Sequence, residues 1–290
     1  MRRADGPRIV LHSSNEMYGA DRMVLEVLRA LEEPRNVTVL LPDDVISGPT
    51  QFTDELEALG VHARIVPLPV LRRAYLTPRG AIALIERSFN LFRLFGRIRP
   101  STVWIANSSL LICAPIARLS GAPLVILHLQ EMWSGVERVV LSFLALFCGR
   151  IIAISSAVAD RVLYRTRRVS VVHNAVPAPT SVTRVDTSAN IFLVASRWND
   201  WKGHRTLLAA WKLAGEPGSL LIAGGPPPIG RGVNVPALID EMKLSRSVSV
   251  VGEVADLGDL YMRASWVVVP SDAPEPFGLV AIEAMARMRP

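Results

Sequence analysis

Short aliphatic runs alternate with longer runs of helical period along almost the whole chain. Ile9–His12, Val37–Leu41, Ala63–Val66, Thr102–Ala106, Leu124–His128, Ile151–Ile154 and Ser170–Val172 read as buried strands. Helical stretches separate them: one carrying Met23, Val24, Val27, Leu28 and Leu31, one near Phe52–Leu59, and the longest from Pro78 to Ile98. Alternation of this kind specifies a parallel sheet covered by helices on both faces. It breaks once, between Ala175 and Asn190, where Pro177, Pro179, Thr180 and Ser181 carry no helical period. It then resumes with strands Ile191–Ala195, Leu220–Ala223, Val248–Val251 and Trp266–Val269, helices Arg205–Leu213, Pro236–Met242 and Leu257–Arg263, and a last helix from Phe277. The expected fold is α/β, with two doubly wound, Rossmann-like domains at 1–176 and 190–290 joined by a linker at 177–189. Tandem domains of this type leave a cleft, and a cleft is the default place for a ligand.

Charge and cysteine usage narrow the partners. Residues 1–180 hold 21 Arg, no Lys and 15 acidic residues, whereas residues 181–290 hold 11 of each sign. The whole excess of +6 therefore sits in the first part, which suggests an anionic surface or partner there. Cys113 and Cys148 lie in apolar surroundings with neither disulfide nor metal-site spacing, which fits a reducing cytoplasm. Met1–Asp5 leads into a strand rather than a signal peptide, and Val139–Cys148 is too short to cross a bilayer.

The stretch Pro270–Ala286 reads as a strand end, a Pro-rich turn and a helix start. That is where open α/β sheets bind ligands. A helix N-terminus offers unbonded N–H groups and the positive end of a dipole, both suited to phosphate. Glu275 lies in the turn, and Glu283, with seven residues between them, lies about two turns into the helix. Glu275-Pro276-Phe277-Gly278 with Glu283 and the following Ala284-Met285-Ala286 resembles the E-x7-E signature of retaining, nucleotide-sugar-dependent glycosyltransferases. These have the GT-B fold and are the family 4, or "group 1", type. The resemblance implies that Glu275 holds sugar hydroxyls, that Glu283 holds the ribose, and that the amides of Phe277, Gly278 and Leu279 face the diphosphate.

Other segments extend the resemblance. Arg197 and Lys202, after the strand Ile191–Ala195, match the family's Arg-x4-Lys loop. Two fixed cations stabilise the charge that builds on a departing nucleoside diphosphate. Gly224-Gly225, after Leu220–Ala223, resembles the glycine turn beside the nucleotide, and Pro226-Pro227-Pro228 extends it as a rigid loop. Gly252, ending Val248–Val251, falls in the loop that resembles the base-binding segment. Gly19, at a helix start after the first strand, lets backbone approach a phosphate, although the family's adjacent glycine is Tyr18 here. His128 closes Leu124–Leu127 at a strand end facing the expected cleft. It matches a family histidine near sugar and acceptor, but the family's following Asp is Leu129 here, with Gln130 and Glu131 beyond.

These residues imply a glycosyltransferase that moves a sugar from a nucleotide-sugar donor to an acceptor hydroxyl with retention, in cell-envelope or polysaccharide synthesis. His128, Arg197, Lys202 and Glu275 form its expected catalytic set. No cofactor or metal is expected, since no Asp-x-Asp is present to hold one between phosphates. The expected partners are the donor and a glycan or lipid-linked acceptor, with peripheral contact at the cytoplasmic membrane face and no nucleic acid. The alternatives are a nucleotide-sugar-binding protein without turnover and a GT-B epimerase. A Rossmann oxidoreductase is disfavoured, because Gly-x-Gly-x-x-Gly does not follow the first strand. The family continues past Pro290 into a further strand and helices, so the second domain is expected to be partial, with a free sheet edge. Met288 stands where the family usually has glycine. Along Pro78–Ile98, Ile82, Ile85, Phe89 and Phe92 form a stripe expected to face the core. Leu84, Leu91, Leu94, Phe95 and Ile98 fall outside it. Arg72, Arg73, Arg79, Arg87, Arg93, Arg97 and Arg99 crowd the same region, which suits docking at an anionic bilayer.

Overall fold

Aliphatic runs at 8–11, 37–42, 62–66, 102–105, 124–129, 150–153 and 169–171 pair in parallel in a computed structural model of the chain. The structure describes residues 6–44, 52–72, 75, 77–164, 167–179, 181–227, 231–254 and 256–290. Thr180, Pro228 and Arg73, which figured in the linker, the loop and the basic cluster, lie outside them. The chain divides into two compact units, Met1–Asn174 and Ala175–Pro290.

In the first unit the strands are β1 (Arg8–Leu11), β2 (Val37–Pro42), β3 (His62–Val66), β4 (Thr102–Ile105), β5 (Leu124–Leu129), β6 (Arg150–Ala153) and β7 (Val169–Val171). Their order is β3-β2-β1-β4-β5-β6-β7, so the direction of winding reverses between β1 and β4. The helices are α1 (Gly19–Arg29), α2 (Phe52–Ala58), α3 (Pro78–Ile98), α4 (Cys113–Leu119), α5 (Gly135–Ala145) and α6 (Ser156–Ala159). Val10, Val39 and Leu41 pack with Val24, Leu25 and Leu28 of α1 and with Phe52 and Leu56 of α2. Helix α4 touches both α3 and α5. Cys113 and Cys148 are buried free thiols; burial raises both, Cys148 to about 12.

Helix α3 corrects one expectation. Leu91 and Phe95 are its buried residues, while Ile82, Ile85, Phe89 and Phe92 are 59, 69, 56 and 41 % exposed. The stripe expected to face the core faces out. Helix α3 carries a second apolar row, Leu84, Leu91, Leu94, Phe95 and Ile98, of which Leu91 and Phe95 are buried and the rest partly buried, with Ser88 among them. The Ser88 hydroxyl returns to the Leu84 carbonyl at 2.7 Å, so a polar group enters the row already satisfied. Thr77 caps the helix by accepting from the Gly80 N–H, and Pro78 follows at its first position.

The second unit has β8 (Ile191–Ala195), β9 (Ser219–Ala223), β10 (Val248–Gly252) and β11 (Trp266–Val267), in the order β10-β9-β8-β11. Its helices are α7 (His204–Leu213), α8 (Val235–Met242), α9 (Gly258–Arg263) and α10 (Leu279–Ala286). Alternation along β8 sorts two cores. Val194 packs with Ile222, Leu208, Trp211, Leu238 and Ile239 on one face. Leu193 and Ala195 pack with Leu260, Tyr261 and Ala284 on the other. Strand β11 is shorter than expected, although the Val268 N–H still bonds the Leu193 carbonyl at 2.8 Å before Pro270 ends the run.

Two findings modify the expected edges. The Val267 N–H donates to the Pro290 carbonyl at 2.8 Å, so the outer edge of β11 is paired at that point. The last part of the expected linker is also fixed to the second unit. Ser265 Oγ donates to the Asp186 carbonyl at 2.6 Å, and Arg289 donates to the Thr183 carbonyl and hydroxyl at 3.1 and 2.8 Å. Arg289 is 3 % exposed and also donates to the Tyr261 and Met262 carbonyls at the end of α9. A guanidinium there adds donors to carbonyls of the last helical turn, where intrahelical partners run out.

Candidate functional site

In the second unit, four loops leave the carboxyl edge of the sheet, and the residues singled out there lie on them, at the end of β10 or in the first two turns of α10. The loop after β8 carries Arg197 and Lys202. It is wedged between its neighbours by two glycines. Gly224 has φ +127°, and a Cβ on it would stand 2.1 Å from the Ser196 carbonyl oxygen. Gly203 has φ +71°, and a Cβ there would stand 1.9 Å from the Pro270 oxygen. Only glycine fits either position. Backbone bonds add to the clamp: Trp198 N–H to Gly225 O at 2.9 Å, Val233 N–H to Trp198 O at 2.7 Å, and Asp272 N–H to Trp201 O at 2.9 Å.

This clamp brings together two residues that lie 73 positions apart in sequence. Lys202 Nζ donates to Glu275 Oε1 at 2.6 Å, with side chains 19 and 21 % exposed. Ser271 Oγ donates to the same carboxylate oxygen. Lys202 Nζ also lies 4.1 Å from the centre of the Trp201 ring. Arg197 stands half-buried on the same edge, two residues beyond β8. Helix α10 starts at Leu279 rather than Phe277, because Gly278 caps it with φ +83°. The first amides of α10, which have no intrahelical acceptor, therefore begin just past Glu275. Glu283 lies in the second turn, and its Oε2 accepts from the Tyr261 hydroxyl at 2.7 Å. Gly252 has φ +84° at a register irregularity that ends β10, and its carbonyl accepts from the Gly224 N–H at 2.7 Å. Gly225 lies against the Glu253 side chain.

Sequence reasoning missed three residues here. Tyr261 orients Glu283, and Gly203 permits the loop contact. His204, at the start of α7, is fully buried with Nε2 3.4 Å from Ser196 Oγ. Burial, with the charge of Lys202, lowers His204 to about 4. Gly203 had a readable signal, since it follows the Arg-x4-Lys loop immediately.

In the first unit, Gly19 is the first residue of α1. Its neighbourhood is held by a pair that sequence reasoning did not find: His12 Nε2 and Asp21 Oδ1 are 2.7 Å apart, and Asp21 Oδ2 accepts the Tyr18 N–H at 3.0 Å. His128 lies within β5, one residue short of its end and 6 % exposed, its ring 5.9 Å from that of Trp104. Burial lowers His128 to about 4, so it is neutral at physiological pH. Beyond it, the Glu131 carboxylate accepts from Ser108 Oγ at 2.6 Å, from the Ser108 N–H at 3.2 Å and from the Gln130 N–H at 3.3 Å. Trp133 Nε1 donates to Ser108 Oγ at 2.7 Å. Burial raises the Glu131 carboxyl, while these donors oppose the rise.

Two parallel sheets, each with its polar residues at the carboxyl edge, define a class. Residues 181–290 match the family described as glycosyl transferases group 1, and the chain as a whole has the GT-B fold of the solved structures it resembles. The solved structures it resembles include Anabaena Alr3699/HepE in complex with UDP and glucose, at 18 % identity and TM-score 0.77. The match covers 98 % of this chain and 79 % of that one. The lipopolysaccharide outer core galactosyltransferase WaaB matches at 15 % identity and TM-score 0.70, over 98 and 79 % of the two chains. Sucrose-phosphate synthase from Thermosynechococcus elongatus matches at 18 % and 0.69, over 98 and 80 %. At such identities the likeness is one of fold. A comparison with curated protein sequences gives no match.

Proposed function

We propose that the chain transfers a sugar from a nucleotide-diphosphate donor to an acceptor hydroxyl with retention of configuration, in the synthesis of a cell-envelope glycan. The observation that carries this reading is the Lys202–Glu275 pair, held at adjacent strand ends just before the start of α10. Without a ligand the two charges neutralise each other. A donor entering between them gives Lys202 a phosphate and Glu275 the sugar hydroxyls. Arg197 adds a second cation to the diphosphate, and the amides of Phe277, Gly278 and Leu279 face it. The loop is already fixed by its glycines, so these charges need little reorganisation as the leaving group forms. Glu283, oriented by the Tyr261 hydroxyl, is assigned to the ribose hydroxyls. Gly224, Gly225 and Gly252 leave room for the nucleotide.

The anomeric bond to the diphosphate breaks as an oxocarbenium-like sugar forms. The acceptor oxygen attacks the face that the leaving group vacates, and the acceptor proton leaves with the diphosphate. Protein cations supply the stabilisation, so transfer needs no metal. Gly19 and His128 are assigned to the reaction by their match to family positions. HepE is described with UDP and with UDP-glucose, which makes uridine diphosphate sugars the first donors to test. WaaB, described as a lipopolysaccharide outer core galactosyltransferase, supports the envelope role.

A thermal-shift panel of UDP-, GDP- and ADP-sugars followed by a transfer assay tests the reading. Donor-dependent stabilisation with transfer to a glycan acceptor supports it. Binding without transfer or donor hydrolysis replaces it with a binding protein, and release of an epimerised sugar without acceptor replaces it with an epimerase.

A further inference from the structure

The outer face of the α3–α4–α5 layer is more apolar than a solvated surface requires. On α3, Ile82, Ile85, Phe89 and Phe92 are exposed at spacings of three and four. On α5, Val136, Val139, Val140 and Phe143 are exposed at 80, 51, 50 and 58 %, again at helical spacing. Leu119, at the end of the intervening α4, is 75 % exposed. Each helix keeps a separate buried row, Leu91 and Phe95 on α3 and Leu141 and Ala145 on α5, so these outward stripes are surplus to the core.

Charge decides what covers this face. Arg79, Arg93 and Arg97 are exposed on α3, and Glu86 is the only acidic residue of that helix. Among the described residues, no ion pair or hydrogen bond engages those three arginines. Arg87, by contrast, is held by Asp43 at 2.6 Å. The Arg93 guanidinium lies 5.8 Å from the Phe89 ring centre, and Arg93 and Arg97 line an open groove of about 280 Å³ with Val66, Asn90 and Leu94. A second copy packed about a two-fold axis would set α3 arginines against α3 arginines. Asp43 is engaged by Arg87 and Asp44 by Arg72, which leaves Glu86 on α3 and Glu137 on α5 as the exposed acids of these two helices. A bilayer of anionic lipids meets both demands, taking aromatic and aliphatic side chains below its phosphates and guanidinium groups among them. Among the described residues, no helix is long and apolar enough to cross a membrane, so the contact lies on the surface.

We infer that the α3–α5 face docks the first unit on an anionic bilayer, with Phe89 and Phe92 inserted and Arg93 and Arg97 on lipid phosphates. This rests on the exposed stripes and not on the donor site, so it stands or falls separately from glycosyl transfer.

Co-sedimentation of the full chain with phosphatidylglycerol–phosphatidylcholine vesicles, and with phosphatidylcholine alone, tests it. The chain pellets with the anionic vesicles only, and added salt weakens the binding. Two double variants, Phe89→Ser with Phe92→Ser and Arg93→Gln with Arg97→Gln, each lower apparent affinity by roughly tenfold or more. Their melting temperatures stay at the wild-type value because the altered side chains are exposed. Val139→Ser with Phe143→Ser reports the share of α5 in the same way. The inference is overturned if the chain ignores anionic vesicles at low salt, binds neutral vesicles equally well, or binds undiminished in both α3 variants. A dimer that the phenylalanine variant dissociates, with no vesicle binding, would assign the face to a second copy instead.

Discussion

At the carboxyl edge of the first unit's sheet, polar side chains bond one another, His12 fully buried and Glu131 partly so. His12 bonds Asp21, and Glu131 receives three donors from Ser108 and Gln130. At the corresponding edge of the second unit, Lys202 and Glu275 meet with about a fifth of each side chain exposed. The two edges come from the same architecture and both carry carboxylates. Their difference is one of saturation. A network whose carboxylates are already engaged by several neighbouring donors fixes loops, and a ligand would have to displace those donors. A partly exposed ion pair is weak as a fold determinant and free to exchange partners.

The strongest attempt to break this contrast is at the second edge. Lys202→Ala and Glu275→Gln are each expected to lower kcat/KM for transfer by roughly 10²–10³, the loss typical of one preorganised contact to a developing charge. Unfolding free energy should move by no more than about 1 kcal/mol, since the pair keeps contact with solvent. A collapse in melting temperature that parallels the lost activity would make this pair structural, and the contrast would fail.

The first edge is expected to behave the other way. Glu131→Ala strands the Ser108 hydroxyl and the Ser108 and Gln130 N–H groups, and should destabilise the chain by about 2–3 kcal/mol. Urea unfolding measures that cost, while donor binding by thermal shift should persist wherever the chain remains folded. Unchanged stability would mean that the network has solvent to fall back on.

A titration sharpens the comparison, because each unit holds one histidine that burial lowers to about 4, His128 and His204. The ordinary value is near 6.5, so folding favours the neutral ring. The resulting stability is complete above pH 6.5 and is lost as pH falls from there toward about 4. Melting temperature should therefore decline across that window. His204 has a second cause of lowering, the Lys202 charge. Lys202→Ala should raise the His204 value and soften the decline, and leave His128 where it was. Imidazole titration by NMR separates the two rings; an unmoved His204 would remove Lys202 as a cause.

How much of this could be read in the sequence depends on what kind of signal each part carries. The strands were legible because a parallel strand buried on both faces is a continuous aliphatic run, as in Leu124–Leu127. The second unit's edge was legible because its charges sit in fixed spacings, Arg197 to Lys202 and Glu275 to Glu283. The first unit's network was not. Ser108 lies in the loop after β4 and Glu131 and Trp133 in the loop after β5, and only the β4–β5 pairing joins the two. Orientation of α3 was also hidden. Its two apolar rows satisfy the same periodicity, and the choice between them depends on packing against α4 and the sheet. Arg289 reads as a surface cation at a chain end, yet its partners are carbonyls of another helix and of residue 183.

The smallest expected effect asks whether the second unit's agreement with the family it matches reaches the backbone. Helix α10 closes with Met288 N–H bonded to Met285 O at 3.0 Å and Arg289 N–H bonded to Ala284 O at 2.9 Å. That pair of bonds requires a left-handed residue between helix and exit, and Met288 supplies it at φ +56°. A side chain there crowds the following carbonyl, which costs roughly 1–2 kcal/mol relative to glycine. Met288 is 70 % exposed, so little packing is lost on removing it. Glycine regains most of that strain but adds unfolded-state entropy worth about 0.4–1 kcal/mol. Met288→Gly should therefore stabilise by up to about 1 kcal/mol in urea unfolding. Met288→Ala keeps the strain and should gain nothing, and Met285→Gly, inside the helix, should lose about 1 kcal/mol. If Met288→Gly proves no better than Met288→Ala, the methionine is held by contacts rather than strained, and the anchored guanidinium of Arg289 is what sets the exit of α10.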